Sequence, residues 1–330
     1  MFGPSLILFP PLSLLAIPLA ILGAAVTVPF SGVLVRYRAN YSPKSVQLDG
    51  AEGATGPVVN GYFAMFRRVY KLEGMAGLYK GFMPTLFTGF VVFILAFLTW
   101  LVSSVRSPGF NLIFILLSFI VSLPFSVIIN RAICTPYRLP SWEPRTALRV
   151  LLTPTERRSF WKLYLNPGLF FIHFLTLLWV GVIVAIATIA LAWKILEEGR
   201  NQHNEVLKWV FVGVYAAVII IAALVTCPLQ VLLIRLSLQR NHGTSGAVES
   251  RDEVVSEPRT EAEQAAKLEL KEYSQDVDVI GLRDEFDPYT SLYNCFVRMK
   301  REEGVKVFYR AYWVTLLSGV FSSGASVPAL

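Results

Sequence analysis

The chain has 330 residues, of which 54% are hydrophobic and 16% are charged, and its mean hydropathy is +0.54. A soluble domain needs more charge on its surface, so this composition excludes a soluble globular protein and favours an integral membrane protein. The formal net charge of +7 does not indicate nucleic-acid binding, because the basic residues lie in three separate loops rather than on one patch with stacking aromatics.

Six uncharged runs are long enough to cross a bilayer as helices, which takes about 20 apolar residues each. They cover 5–35, 82–105, 110–130, 167–193, 209–234 and 311–330. No basic residue precedes Arg36, and the first run is too long for the apolar part of a signal peptide. We therefore expect it to be a retained first span.

The basic residues are distributed unevenly between the loops. Of the 30 Lys and Arg residues, 26 lie in 36–80, 131–166 and 235–310, and the other four are Arg106, Lys194, Arg200 and Lys208. Basic residues concentrate on the side of a membrane that is not translocated. We therefore expect the three long loops to share one side, facing the matrix or one defined compartment, and both termini to lie on the other.

Two segments 230 residues apart repeat one pattern of acid, glycine, aromatic and base. In order, the corresponding pairs are Glu73 and Glu303, Gly74 and Gly304, Tyr79 and Tyr309, Lys80 and Arg310, and Gly81 and Ala311. The preceding residues also correspond: Phe66 with Phe296, Arg68 with Arg298, and Lys71 with Arg301. Each segment predicts a short amphipathic helix that ends at a glycine, followed by a turn into the next span.

Prolines recur within the odd-numbered spans at Pro29, Pro124 and Pro228, and each is followed seven positions later by an arginine. Those arginines are Arg36, Arg131 and Arg235. Proline removes a backbone hydrogen bond and clashes with the preceding turn, so we expect a kink at each proline.

These motifs resemble the signature of the mitochondrial carrier family, which is Pro-x-Asp/Glu-x-x-Lys/Arg-x-Lys/Arg, a loop, and Asp/Glu-Gly-x4-aromatic-Lys/Arg-Gly, three times over. The resemblance implies an all-α membrane protein with six transmembrane helices in a pseudo-threefold barrel and short amphipathic surface helices. The repeats would be 1–105, 106–200 and 201–330, the last with a polar insertion at about 242–288 that we expect to be disordered. Repeat two is degenerate, because Glu156 to Asn166 has Trp161, Lys162 and Tyr164 but no acid–glycine pair in register.

The chain departs from the family at the positions that form its matrix gate, a ring of ion pairs that closes the cavity. The acid positions hold Ser31, Ser126 and Gln230, and the base positions hold Leu34, Ile129 and Leu233. Charges inside a bilayer persist mainly where a function uses them, so their loss predicts an apolar plug that no longer gates. The even-numbered spans also lack the charges of the second gate. We expect no Arg or Lys in the cavity, which argues against the usual anionic metabolites.

Several residues have two interpretations at this stage. Arg36, Arg131 and Arg235 could form a basic ring that pairs with Glu73 and Glu303, or could snorkel to the interface at helix C-termini. The resemblance implies cardiolipin headgroups at Tyr79-Lys80-Gly81 and Tyr309-Arg310, which could instead be ordinary interfacial residues.

His173 could line a polar path with Asn111, Ser118 and Ser126, or could simply be satisfied by a neighbouring helix. The 242–288 loop could dock a protein partner or be a tolerated insertion, and Glu261 to Leu270 could form a short helix. We find no catalytic motif, and the cysteines and histidines have no metal-ligand spacing. These residues are Cys134, Cys227, Cys295, His173, His203 and His242.

Two functions follow from these patterns. The first is a non-transporting protein that acts in mitochondrial membrane organisation through protein or lipid contacts, and so resembles carrier-like outer-membrane fusion, morphology or insertion factors. The second is a transporter for an apolar or weakly polar solute. In both cases we expect no enzyme activity and no cofactor. We expect a multi-pass protein of the outer or inner mitochondrial membrane, with a peroxisomal membrane less favoured. The sequence does not indicate the oligomeric state.

Overall fold

The structure, a computed structural model, describes residues 9–43, 57–103, 109–140, 143–198, 205–240, 273, 278–284 and 287–324. Within these ranges the regular elements are helices, and there is no β-strand. In chain order they are α1 Phe9–Ala39, α2 Tyr62–Leu78, α3 Phe82–Ser103, α4 Gly109–Cys134, α5 Pro144–Leu151, α6 Pro154–Arg158, α7 Trp161–Tyr164, α8 Leu169–Glu198, α9 Glu205–Leu238, α10 Leu292–Glu302, a 3-10 turn Val305–Tyr309, and α11 Tyr312–Gly324.

Two described stretches, Leu117–Cys134 in α4 and Ala216–Leu238 in α9, are long and apolar enough to cross a membrane. A third is possible if Tyr62–Leu78 and Phe82–Leu95, which are bent by 51° at a short break, count as one span. The apolar stretch Leu169–Ile183 in α8 is shorter. The described residues therefore support a helical membrane protein with two or three candidate spans, and the count of six stays a prediction.

The long helices are apolar on most of their surface, as expected for helices in contact with lipid. Large side chains on α3, α8 and α9 are exposed, among them Phe87, Phe90, Phe171, Leu178 and Ile221. The helices also continue through their prolines: α1 passes Pro29, α4 passes Pro124 and α9 passes Pro228 without a break.

The helices pack around α1, α4 and α9, each of which contacts the other two. α3 packs against α1 and α4, α8 packs against α4 and α9, and α11 packs against α9. The buried apolar residues form two clusters near the C-terminal ends of α1, α4 and α9. The first includes Val127, Leu163, Val231, Tyr289 and Met299, and the second includes Val33, Met65, Cys134, Ile234 and Ile280.

We call this end of the molecule the loop face: the C-terminal ends of α1, α4 and α9 together with α2, α5, α6, α7 and α10. The predicted amphipathic helices of repeats one and three are α2 and α10. Gly74 has a φ of 67° inside α2, and Gly304 has a φ of 90° just after α10. Both glycines adopt the left-handed region at the predicted positions, which only glycine adopts readily.

Candidate functional site

Three buried arginines, which we call the arginine ring, lie near the ends of α1, α4 and α9. Arg36, Arg131 and Arg235 are only 2%, 4% and 5% exposed. The proline–arginine spacing in the sequence places each of them in the last turns of its helix, where the backbone carbonyls lack helical partners. A guanidinium there can satisfy several of these carbonyls at once.

Each ring arginine pairs with a glutamate of its own repeat. The distances between nitrogen and oxygen are 2.7 Å for Arg36 and Glu73, 2.6 Å for Arg131 and Glu156, and 3.0 Å for Arg235 and Glu303. Of the two interpretations of these arginines, the contacts correspond to a buried pairing network rather than to snorkelling.

The ring arginines also join each repeat to the next. In each case the guanidinium Nε donates to a backbone carbonyl. Arg36 donates to Ile133 at 2.9 Å, Arg131 donates to Ser237 at 3.0 Å, and Arg235 donates to Arg38 at 2.9 Å. Each acceptor lies two residues after the ring arginine of the neighbouring repeat. The three bonds therefore form a closed cycle around the ends of α1, α4 and α9.

A second set of carbonyls, four residues after each ring arginine, also accepts from buried cations. Arg235 donates to Asn40 at 2.6 Å, Arg131 donates to Gln239 at 2.7 Å, and Lys80 donates to Thr135 at 2.7 Å. Side-chain cations thus satisfy the terminal carbonyls of all three helices, which would otherwise be costly to bury.

The sequence did not identify Glu156 as the acid of repeat two. Glu73 lies eight residues before Gly81 and Glu303 eight before Ala311, but Glu156 lies twelve before Gly168 (168 − 156 = 12). It belongs to the short helix α6 instead. There Thr153 forms a capping box with Glu156, whose carboxylate also binds the Thr153 backbone N–H at 3.1 Å. The Thr-Pro-x-Glu pattern was the available signal.

The glutamates of repeats one and three each bind a second cation. Glu73 pairs with Lys80 at 2.5 Å, and Glu303 pairs with Arg310 at 3.1 Å. A Cβ on Gly77 would lie 2.2 Å from Glu73 Cβ, so the missing side chain makes room for this carboxylate. The bases of the two predicted headgroup motifs are therefore engaged in ion pairs, while Tyr79 and Tyr309 remain exposed.

Arg38, in the last turn of α1, is a further buried cation, and the prediction that the cavity has no Arg or Lys stays a prediction. Arg38 is 1% exposed and lies between α1, α9 and α11. It donates to Gln230 Oε1 at 2.5 Å, Thr315 Oγ1 at 2.6 Å and the Arg310 carbonyl at 3.3 Å, and it contacts Cys227 Sγ at 3.5 Å. Among the described residues it has no carboxylate partner. Arg38 lies two residues beyond the proline–arginine motif, so no repeated pattern in the sequence marked it.

The gate positions of the family lie among apolar and neutral groups. Leu34 and Ile129 pack against the second cluster and Leu233 against the first. Ser31 Oγ donates to the Val28 carbonyl at 3.1 Å, and Ser126 is half-buried. Gln230 is held by Arg38, so one gate position is bridged between α1 and α9 by a hydrogen bond.

His173 is buried on α8 and lies 2.8 Å from Ser122 Oγ of α4, with its ring next to Phe119. The Nε2 contact corresponds to the interpretation in which a neighbouring helix satisfies this histidine. Within the described part of the chain, Nδ1 has no hydrogen-bond partner. The side chain of Asn111 lies outside the described residues.

The three cysteines are buried free thiols, and the described part of the chain holds no group of three or more potential metal ligands. Burial raises the pKa of the Cys295 thiol to about 12, so it is unreactive at neutral pH. His203, His242 and the possible helix Glu261 to Leu270 lie outside the described residues.

The fold and the buried ion pairs define a helical membrane protein in which α1, α4 and α9 are joined at the loop face. Residues 14–102 match the family model Mitochondrial carrier protein, and this match confirms the resemblance and supports membership in the mitochondrial carrier family. No curated protein matches the chain. Carrier-family proteins are transporters rather than enzymes, which agrees with the absence of catalytic motifs from the sequence. The match and the apolar helices indicate a multi-pass protein of a mitochondrial membrane.

Proposed function

We propose that this chain is a six-span carrier-fold protein that acts in mitochondrial membrane organisation through protein or lipid contacts and does not exchange solutes. The observation that carries the proposal is the arginine ring, which joins the ends of α1, α4 and α9 while the family's gate positions are uncharged. The cyclic order of its three Nε bonds is what a pseudo-threefold barrel requires, and so it supports that architecture.

The energetics of the ring favour a permanently closed end. Alternating access needs two states separated by a modest free energy. Opening the loop face would separate each ring arginine from carbonyls of the next repeat, and the buried guanidinium would lose partners in a medium of low dielectric constant. Leu34, Ile129 and Leu233 are uncharged, so they cannot form ion pairs that would stabilise a second conformational state.

The lipid contact that we propose lies at the entrances to α3 and α11. Lys80 and Arg310 are already paired, so a cardiolipin headgroup would meet backbone N–H groups with the exposed rings of Tyr79 and Tyr309. A protein partner could bind the 242–288 loop.

Solute uptake by proteoliposomes tests the proposal. The purified full chain would be reconstituted beside a transport-competent carrier and offered amino acids, nucleotides, carboxylates and cofactors on both sides. We expect no saturable exchange above that of empty vesicles. Saturable uptake of any solute in the panel would overturn the non-transporting assignment.

One observation favours the second candidate, transport of a weakly polar solute. Arg38, Gln230 and Thr315 place a polar cluster between three helices, and a buried ionisable residue in a membrane protein is a candidate site. If uptake is found, Arg38→Met should abolish it, whereas Thr88→Ala on α3, whose hydroxyl donates to the Pro84 carbonyl of the same helix, should not. Uptake that survives Arg38→Met would exclude this cluster as the solute site.

A further inference from the structure

The structure describes part of the polar insertion predicted at about 242–288. Its described residues, together with 289–290, contact the helices at the loop face, and we call them the strap: Tyr273, 278–284 and 287–290. The expectation that much of 242–288 is disordered does not extend to these residues, because their side chains and backbone make specific contacts with the helices. The remaining residues of 242–288 lie outside the described ranges.

The strap contacts the ends of all three helices that the arginine ring joins. The Tyr273 N–H donates to the Pro136 carbonyl after α4 at 3.3 Å. The Gly281 N–H donates to Asn40 Oδ1 after α1 at 2.9 Å, and the Tyr41 N–H donates back to the Gly281 carbonyl at 2.8 Å. Tyr289 exchanges two bonds, of 3.0 and 3.2 Å, with the Gln239 side chain after α9.

The strap and the arginine ring share two residues. Asn40 accepts from Arg235 through its backbone carbonyl and from the strap through its side chain. Gln239 accepts from Arg131 through its backbone carbonyl and binds the strap backbone through its side-chain amide. The strap therefore lies directly over the ring.

The two arginines that correspond between repeats one and three both hold the strap. Arg68 on α2 donates to the carbonyls of Val279 at 3.0 Å and Asp278 at 2.8 Å. Its counterpart Arg298 on α10 pairs with Asp287 at 2.6 Å. The strap is thus fixed from both sides of the loop face.

A buried apolar side chain and two cation–π contacts complete the attachment. Ile280 is 8% exposed and belongs to the second cluster, which also contains Cys134, whereas Leu282 two residues later is 49% exposed. At the other end, the Tyr273 ring lies 4.1 Å from Lys80 Nζ and 4.6 Å from the Arg138 guanidinium.

From these contacts we propose that the strap is an intramolecular closure of the loop face, which covers the arginine ring and holds the ends of α1, α4 and α9 together. This goes beyond the proposed function and does not depend on it. A closed bundle end would be needed equally by a non-transporting protein and by a transporter in its resting state.

Accessibility of Cys134 tests the closure. Cys134 is a native buried thiol at the end of α4, and Cys227, deep in α9, serves as an internal reference for intact folding. The full chain in lipid nanodiscs would be treated with N-ethylmaleimide, and labelling at each cysteine would be followed by peptide mass spectrometry. Ile280→Ser removes the buried contact, and Leu282→Ser is the matched control on the same strap.

We expect Ile280→Ser to raise the labelling rate of Cys134 by about tenfold, because local opening controls the reactivity of a buried thiol. Cys227 should stay protected, and Leu282→Ser should behave like the unmodified chain. If Ile280→Ser also exposes Cys227, the fold is lost and Arg68→Ala, which removes two bonds to strap carbonyls, decides instead. Unchanged Cys134 labelling in a folded Ile280→Ser or, failing that, Arg68→Ala protein would overturn the proposal.

Discussion

At the scale of single residues, Glu156 shows how one carboxylate compensates a buried cation. Its two oxygens accept from Arg131 at 2.6 and 3.0 Å, and its side chain is 0% exposed. A bidentate guanidinium–carboxylate pair is among the stronger polar contacts in proteins, and removal of one partner leaves a buried charge unpaired.

Glu156→Gln should therefore destabilise the protein by about 3 kcal/mol or more. The apparent melting temperature in detergent would measure the effect. Glu143→Gln is the matched control, because Glu143 lies on the surface directly before α5 and its carboxylate accepts from the Thr146 hydroxyl. Equal melting temperatures for the two variants would contradict the assignment of Glu156 as the acid of repeat two.

Backbone conformation at the entrances to α3, α8 and α11 gives a second prediction at this scale. Gly81, Gly168 and Ala311 directly precede these helices and have φ values of 83°, 77° and 54°. Ala311→Gly should stabilise the protein by up to about 1 kcal/mol, because glycine adopts this region without steric cost. Gly168→Ala should destabilise it strongly, since a Cβ there would lie 2.5 Å from the Leu292 backbone nitrogen.

Thermal unfolding of the two variants in one detergent would measure these opposite shifts. Gly89→Ala is the control, because a Cβ at Gly89 has nothing within 4 Å. A loss of stability in Ala311→Gly would show that this position tolerates its φ without strain.

At the scale of elements, the strap depends on charged contacts that respond to pH. Hydrogen bonds from Arg298, and then from Arg283, hold the pKa of the Asp287 carboxyl below its usual value. A carboxyl with a lowered folded-state pKa contributes stability above its unfolded pKa of about 3.9, and this contribution is lost as pH falls through the lowered value.

We therefore expect the strap to loosen in acid before the helices unfold. Hydrogen exchange of peptides covering 278–290 would show this as a difference in rate between the unmodified chain and Asp287→Asn that disappears when the pH is lowered below about 4. The Asn variant should already exchange faster at neutral pH and should lose the acid-dependent step. Identical pH profiles for the two proteins would mean that Asp287 does not anchor the strap.

At the scale of the whole molecule, the uneven charge distribution predicts one orientation in the membrane. Trypsin cleaves after Lys and Arg, and 26 of the 30 sites fall in the three long-loop segments. The protein should resist alkaline carbonate extraction because its long helices expose apolar side chains to lipid.

Trypsin that reaches the loop side should produce fragments from all three repeats, unless the strap and the buried contacts protect individual sites. Trypsin on the other side can cleave only at Arg106, Lys194, Arg200 and Lys208. Digestion of intact mitochondria, and then of mitochondria with a swollen outer membrane, would distinguish the two membranes and the two orientations. Equal fragment patterns from both sides of a sealed membrane would contradict the predicted topology.

The sequence by itself indicated a membrane protein, its resemblance to the carrier family and the corresponding motif residues of two segments. Apolar runs without charge have few stable locations other than a bilayer, and the spacing from proline to arginine is a property of one helix. Glu73 and Glu303 could be aligned because the chain between acid, glycine and base has the same length in both repeats.

Only the tertiary structure decided which groups meet across repeats. Glu156 reaches Arg131 from a different local structure, so no register in the sequence aligned it with Glu73. Arg38 is buried by side chains nearly 200 or more residues away, and the strap binds helix ends that precede it by more than 40 residues. Such contacts depend on the packing of α1, α4 and α9, because non-local pairs form only when folding brings distant segments together.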